Sequence, residues 1–257
     1  MSKPKSGTIA VWIRLRTIKK LLFALCLLIV FVGIVTYEVP TEKTTKYWSL
    51  PLAGKVIVLD AGHGGVDGGA VSRQGVIEKD INLAITLYLR DYLQEAGAVV
   101  KMTREGDYDL ASPDTKGYSK RKTEDLKQRV KKIEEQQPYL FVSVHMNSIP
   151  SNRWRGAQVF YYPNHPDNAN LATLMQEEMR RNLENTDRIA KTANTVYLLK
   201  ALKIPATLVE VGFLSHAEEA MLLKDVEYQR KVAASIYKGI LRYSSGEKSK
   251  VSSESDG

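Results

Sequence analysis

Residues 56–69 read VIVLDAGHGGVDGG, an apolar run that empties directly into a glycine-rich loop carrying a histidine. Val56–Leu59 is short, continuously apolar and β-branched, the composition of a strand buried on both faces. A loop must follow it. Gly62, Gly64, Gly65, Gly68 and Gly69 remove most Cβ atoms from around His63, so the backbone can turn tightly and a ligand can come close. His63 is therefore expected at the mouth of a strand, where open α/β sheets place their sites. The spacings G-x-G-x-x-G and G-x-x-x-x-G-K-[ST] are both absent, which argues against a phosphate cradle. From this stretch alone, a histidine that only packs or caps the loop is the competing explanation.

Two further apolar strands carry chemistry. Tyr139–Val144 (YLFVSV) ends on His145, followed by Asn147 and Ser148. Packing needs do not by themselves deliver a histidine at the same relative position twice, so both imidazoles are expected in one crevice. Ala206–Phe213 (ATLVEVGF) contains Glu210, an acid that cannot be buried unpaired without a large cost. Pairing with a core arginine is the ordinary explanation, and a catalytic or metal-linked carboxylate is the one favoured here. Ala98–Thr103 and Ala157–Tyr162 complete the expected strands.

Between them lie helical patterns. Ile81, Ile85, Tyr88, Leu89, Tyr92 and Leu93 recur at helical spacing until Gly97, and Glu78 begins that helix, where an acid complements the macrodipole without further role. Arg104–Glu124 is a long polar segment of the kind that is either functional or mobile. Glu124–Gln137 repeats Leu126, Val130 and Ile133, and its charged face is expected in solvent. Asn168–Thr186 and Tyr228–Tyr243 are helices, and Ala193–Leu202 a short helical or irregular piece. Ser215 and Glu218 form a capping box for the helix through Met221 and Leu222. His216 falls within that cap and His165 lies between prolines in an exposed loop, so neither is assigned to the site.

The chain of 257 residues, 44% apolar, suffices for one full domain with appendages. Its net charge of +8 is scattered and comes with no nucleic-acid motif, which fits an anionic wall polymer or a membrane surface better than nucleic acid. Cys26 is the single cysteine and sits in the apolar N-terminal run, so any metal in the folded part is held by histidine and carboxylate. Residues 1–20 are basic and Leu21–Val35 is unbroken apolar sequence, the pattern of an export signal or anchor. Charge before the run orients the N-terminus to the cytoplasm. No A-x-A site follows, which favours an uncleaved, single-pass signal anchor over 21–37 with the catalytic part outside the cell membrane. A linker is expected over 38–53, a catalytic domain over 54–243 and a disordered polar tail over 244–257.

DAGHGG, GVIEKDINLAI, SVHMNS and PATLVEVGFLS, in that order, resemble the zinc-dependent N-acetylmuramoyl-L-alanine amidases of bacterial cell walls. The resemblance spans about residues 54–243 through four separate motifs. It implies an α/β fold, a twisted and mostly parallel sheet of about six strands with helices on both faces. It also implies Zn²⁺ as cofactor, His63, Glu78 and His145 as its ligands, and Glu210 as the catalytic glutamate. Peptidoglycan is then the substrate, cut between the lactyl group of muramic acid and L-alanine. The stretch before Leu126 is longer than usual in the family, and Ile133-Glu134 stands where Ala-Asn is common. A catalytic domain on a short anchor, with no wall-binding module, resembles the branch acting on spore cortex, and leaves room for an activating protein. Two His and one carboxylate suit a zinc carboxypeptidase equally well, and a wall-binding regulator with an inactive site is the alternative from another class.

Overall fold

Each of the five apolar runs read as a strand forms one. The computed structural model describes residues 14–37 and 50–249, which fall into two units, one ending at Ser49 and one beginning at Leu50. In the first unit, α1 (Leu15–Thr36) is a helix of 22 residues containing an 18-residue stretch of mean hydropathy 2.6. At ~1.5 Å per residue it is roughly 33 Å long, enough for a hydrocarbon core of about 30 Å. It starts six residues before the apolar run and so takes in Arg16, Lys19 and Lys20.

The second unit holds a six-stranded sheet built from β1 (Val56–Ala61), β2 (Val99–Met102), β3 (Leu140–Asn147), β4 (Gln158–Tyr161), β5 (Lys191–Thr192) and β6 (Ala206–Phe213). Its order is β2-β1-β3-β6-β4-β5. All neighbours run parallel except β4 against β6. The two-residue edge strand β5 carries no apolar signal and was not expected from the sequence.

Alternation along the strands sends side chains to two helical layers. Ile57, Leu59, Leu140, Val142 and Val209 join the core beneath α2 (Glu78–Glu95), α4 (Asn168–Leu183) and α7 (Val226–Ser244). Val58, Phe141 and Leu208 face the other way, against Ile133 of α3 (Tyr118–Glu134) and Leu198 and Leu199 of α5 (Tyr197–Ala201). Helices cover both faces, as expected of a parallel sheet.

Several boundaries differ from the sequence reading. Leu50–Ala53 are not linker: Leu52 is fully buried and its N–H donates to the Ala96 carbonyl at 3.0 Å. The rest of that linker, residues 38–49, lies outside the described residues, as do basic residues 1–13. The tail is likewise corrected over 244–249. The Asn170 side chain accepts from the Ser249 N–H at 2.7 Å and donates to the Glu247 carbonyl at 2.9 Å, so hydrogen bonds to one buried amide dock a stretch with little apolar surface. Residues 250–257 lie outside the described residues. α6 (Ala217–Lys224) starts one residue later than a Ser215 cap would place it. His216 is the cap, accepting from the Glu219 N–H at 3.2 Å, while Ser215 Oγ accepts from Ile149. His165 is half-buried rather than exposed and accepts from the Asp167 N–H.

Candidate active site and metal centre

The register of the sheet sets His145 beside Glu210, and Asp60 beside Ser143. All four share strand parity with Val58, Phe141 and Leu208, so they face the α3–α5 side at the carboxyl ends of three adjacent parallel strands. His63 enters from the loop after β1, and Glu78 is the first residue of α2. Asp60, His63, Glu78, His145 and Glu210 line a crevice of about 360 Å³, with Lys122 and Tyr197 also on its walls.

The four sequence-selected residues are thus brought together. His63 Nε2 stands 3.1 Å and His145 Nδ1 3.2 Å from Glu78 Oε1, and donor atoms of the three all lie within 4.8 Å of one another. Ligands about 2.1 Å from a tetrahedral zinc stand roughly 3.4 Å apart, so this donor set fits such an ion. Two close approaches explain the glycines. A Cβ on Gly62 would run into the His145 ring, and one on Gly69, at φ +70°, would sit 2.6 Å from Glu78 Oε2. The open space around His63 therefore receives the other two donor residues.

The surroundings aim these side chains. His63 Nδ1 pairs with Asp67 Oδ2 at 2.9 Å, which leaves Nε2 turned to the crevice. Asp67 in turn accepts from the Tyr118 hydroxyl and the Gly69 N–H and meets Lys122. Such outer carboxylates fix ring orientation and tautomer in metal sites. Glu78 is buried and accepts from the Ala70 N–H at 2.8 Å and the Met146 N–H at 3.0 Å. Burial alone would raise its pKa, but hydrogen bonds with His145 and His63 hold it well below the carboxylate range. For His63, burial would favour the neutral ring, yet Asp67 and Glu78 push its pKa well above the imidazole range. The protein's own charges thus favour a cation at this point.

Glu210 behaves differently. Its Oε2 is buried with no hydrogen-bond partner, and no arginine pairs with it among the described residues. Burial, then the nearby Glu78 charge, raise its pKa to about 7 against the opposing pull of His145 and His63. A carboxyl poised there can hold or release a proton near neutral pH.

Residues 57–242 match the family described as N-acetylmuramoyl-L-alanine amidase. The chain belongs to that family. As an amidase of this kind it hydrolyses the amide joining N-acetylmuramic acid to L-alanine. It is 53% identical over 215 residues to the germination-specific N-acetylmuramoyl-L-alanine amidase of Bacillus subtilis, covering 84% of this chain and 90% of the relative. The CwlD amidase of Clostridioides difficile, solved in complex with the GerS lipoprotein, superposes with a TM-score of 0.74 at 41% identity, over 76% of this chain and 100% of that one. The catalytic domain of CwlV from Bacillus (Paenibacillus) polymyxa does so with a TM-score of 0.63 at 34% identity, over 74% and 97%.

Sequence reasoning passed over the amidase's buried support. Helix α3 begins at Tyr118 rather than Glu124, and Asp125 and Arg129 on it are buried rather than solvated. Arg129 Nη1 meets Asp60 Oδ1 at 2.6 Å, and Asp60 also accepts from the Ser143 and Thr103 hydroxyls at 2.6 Å each. A signal existed: Arg129 lies three residues after Leu126 and four before Ile133, on the apolar stripe itself.

Proposed function

We propose that His63 through Nε2, Glu78 through its carboxylate and His145 through Nδ1 hold a zinc ion, and that Glu210 is the general base and acid of the amidase reaction. The observation carrying this reading is the convergence of three donors within 4.8 Å beside a glutamate whose Oε2 is buried and unpartnered. Zinc bound there supplies a Lewis acid for the scissile carbonyl and lowers the pKa of a water towards about 7. Asp67 keeps the His63 ring turned to the crevice, and the backbone amides of Ala70 and Met146 hold the Glu78 carboxylate in place. Glu210 takes the proton from the attacking water and returns one to the departing amine of L-alanine. Lys122 and Tyr197, on the crevice walls, are placed to meet the substrate.

Helix α1 acts as an uncleaved anchor, with its basic flank in the cytoplasm and the catalytic domain outside. Identity of 53% to a germination-specific amidase supports spore cortex peptidoglycan as the working substrate. Likeness to an amidase solved with a lipoprotein supports a protein partner of that class. Incubating the detergent-solubilised, zinc-loaded chain with cortex and vegetative peptidoglycan tests the reading. The expected result is new L-alanine amino termini, released faster from cortex, and abolished by a chelator and restored by zinc. Chelator-resistant cleavage would contradict it.

A further inference from the structure

His63 has a left-handed backbone, with φ +64°, a conformation that residues with a Cβ adopt only when their surroundings hold them there. Two buried arginines do the holding. Arg129, 2% exposed, donates from Nη2 to the His63 carbonyl at 2.6 Å and from Nη1 to the Ala61 carbonyl at 3.0 Å. Arg104, 1% exposed, donates from Nε to the same Ala61 carbonyl at 2.9 Å and from Nη2 to the Gly62 carbonyl at 3.0 Å. Three successive carbonyls, 61 to 63, are thus captured by two guanidinium groups. The Arg104 Nη2 also donates to the Lys79 carbonyl at 2.7 Å, one residue beyond Glu78. One nitrogen therefore ties the His63 loop to the first turn of the helix that carries Glu78.

Placing two cations side by side in the interior is expensive, and the ion pairs that offset it, with Asp60 and Asp125, are made by Arg129. Arg104 makes no ion pair at all among the described residues; its bonds go to backbone carbonyls, at 61, 62, 79 and 106. Three of those four belong to the His63 loop or the start of the Glu78 helix. We infer that Arg104 and Arg129 are positioning residues, which set the backbone of the His63 loop and its spacing from Glu78 and so tune the affinity and geometry of the metal centre. This rests on His63 and Glu78 being ligands. Arginine is required because its planar fork reaches carbonyls in several directions at once, whereas a lysine ammonium is a single point.

The test uses the full chain in detergent, with Arg104→Lys and Arg129→Lys compared with wild type and His63→Ala. Zinc Kd by chelator competition, the visible spectrum of the Co²⁺-substituted protein and metal-free melting are measured on each. The expected outcome is a zinc Kd weakened about 10- to 100-fold in each lysine variant, the range seen for outer-shell changes, with an altered Co²⁺ spectrum. A purely structural arginine would lower the metal-free melting temperature and leave Kd and spectrum of the folded protein at wild-type values, and that result overturns the inference. If His63→Ala keeps wild-type zinc affinity, the ligand assignment itself has failed, and with it the ground on which the arginine roles stand. Should the lysine variants not fold, the triple variant Asp60→Asn/Asp125→Asn/Arg129→Met removes the guanidinium and both carboxylates paired with it, along with the His63 carbonyl contact. It should bind zinc at least about 10-fold more weakly than Asp60→Asn alone, and equal affinity overturns the inference.

Discussion

Replacing Glu210 by glutamine preserves shape and removes the base, and its consequences for rate and for stability point in opposite directions. General acid-base catalysis contributes about 10²- to 10⁴-fold, so amide cleavage should fall by that factor, or roughly 3 to 5.5 kcal/mol of barrier. Stability follows from the raised pKa. Glu210 ordinarily titrates at 4.5, and burial moves it to about 7 in the folded chain. A raised carboxyl pKa penalises the folded state above the unfolded value, growing from pH 4.5 to 7 and then levelling at about 3 kcal/mol for the metal-free protein. Glutamine carries no charge and escapes this penalty, offset by about 1–3 kcal/mol for an amide left partly unsatisfied. Metal-free Glu210→Gln should therefore melt no lower than wild type at pH 8 while turning over at least about 100-fold more slowly with zinc at full occupancy. Melting temperature, zinc content and peptidoglycan cleavage are measured on one preparation. A zinc-loaded variant within a few-fold of wild-type activity, or one that is less stable with normal activity, would remove Glu210 from the mechanism.

The remaining expectations can be checked on the same material. His63→Ala, Glu78→Ala and His145→Ala should each lose stoichiometric zinc at neutral pH by metal analysis, because two remaining ligands seldom retain the ion; full occupancy in Glu78→Ala would return that residue to a helix-dipole role. Gly62→Ala drives a Cβ into the His145 ring and should cost about 1–3 kcal/mol in denaturant unfolding together with zinc affinity; unchanged affinity would contradict the described approach of the ring. Asp60, which burial would raise but Arg129, His145 and two hydroxyls hold at about 2 against an ordinary 3.8, contributes about 2 kcal/mol above pH 4 that is lost as pH falls towards 2. Asp60→Asn should flatten the stability curve in that window, and parallel curves would refute the assignment. Mass spectrometry of membrane-extracted protein should show an intact N-terminus, whereas a mature form beginning after Val35 would show that α1 is removed.

The strands that build the site were legible because each is a β-branched apolar run interrupted by one chemical residue: His63 past β1, His145 in β3, Glu210 in β6. Burial forbids casual placement of such residues, so the exceptions stand out. Glu78 was legible only through the family likeness, since an acid in a first helical turn has an ordinary electrostatic explanation. Arg129 was read as solvated because charge dominates the composition of α3, Arg104 was passed over in a segment read only as long and polar, and only three-dimensional register shows carbonyls waiting for them. Strand β5 rests on backbone hydrogen bonds that side-chain pattern does not encode, and the docked residues 244–249 on polar contacts to Asn170 and Arg242 that only the folded chain brings within reach. Leu50–Ala53 looked like linker because a single buried leucine, Leu52, carries no periodicity.

The most direct test of the central claim is a crystal structure of the zinc-loaded chain with anomalous data collected on both sides of the zinc edge. The expected result is one strong zinc peak in the crevice, about 2.0–2.2 Å from His63 Nε2, a Glu78 oxygen and His145 Nδ1, with a fourth position open and the Glu210 carboxylate beside it but not bound. A peak ligated by Glu210 in place of Glu78, or a zinc held elsewhere on the chain, would contradict it.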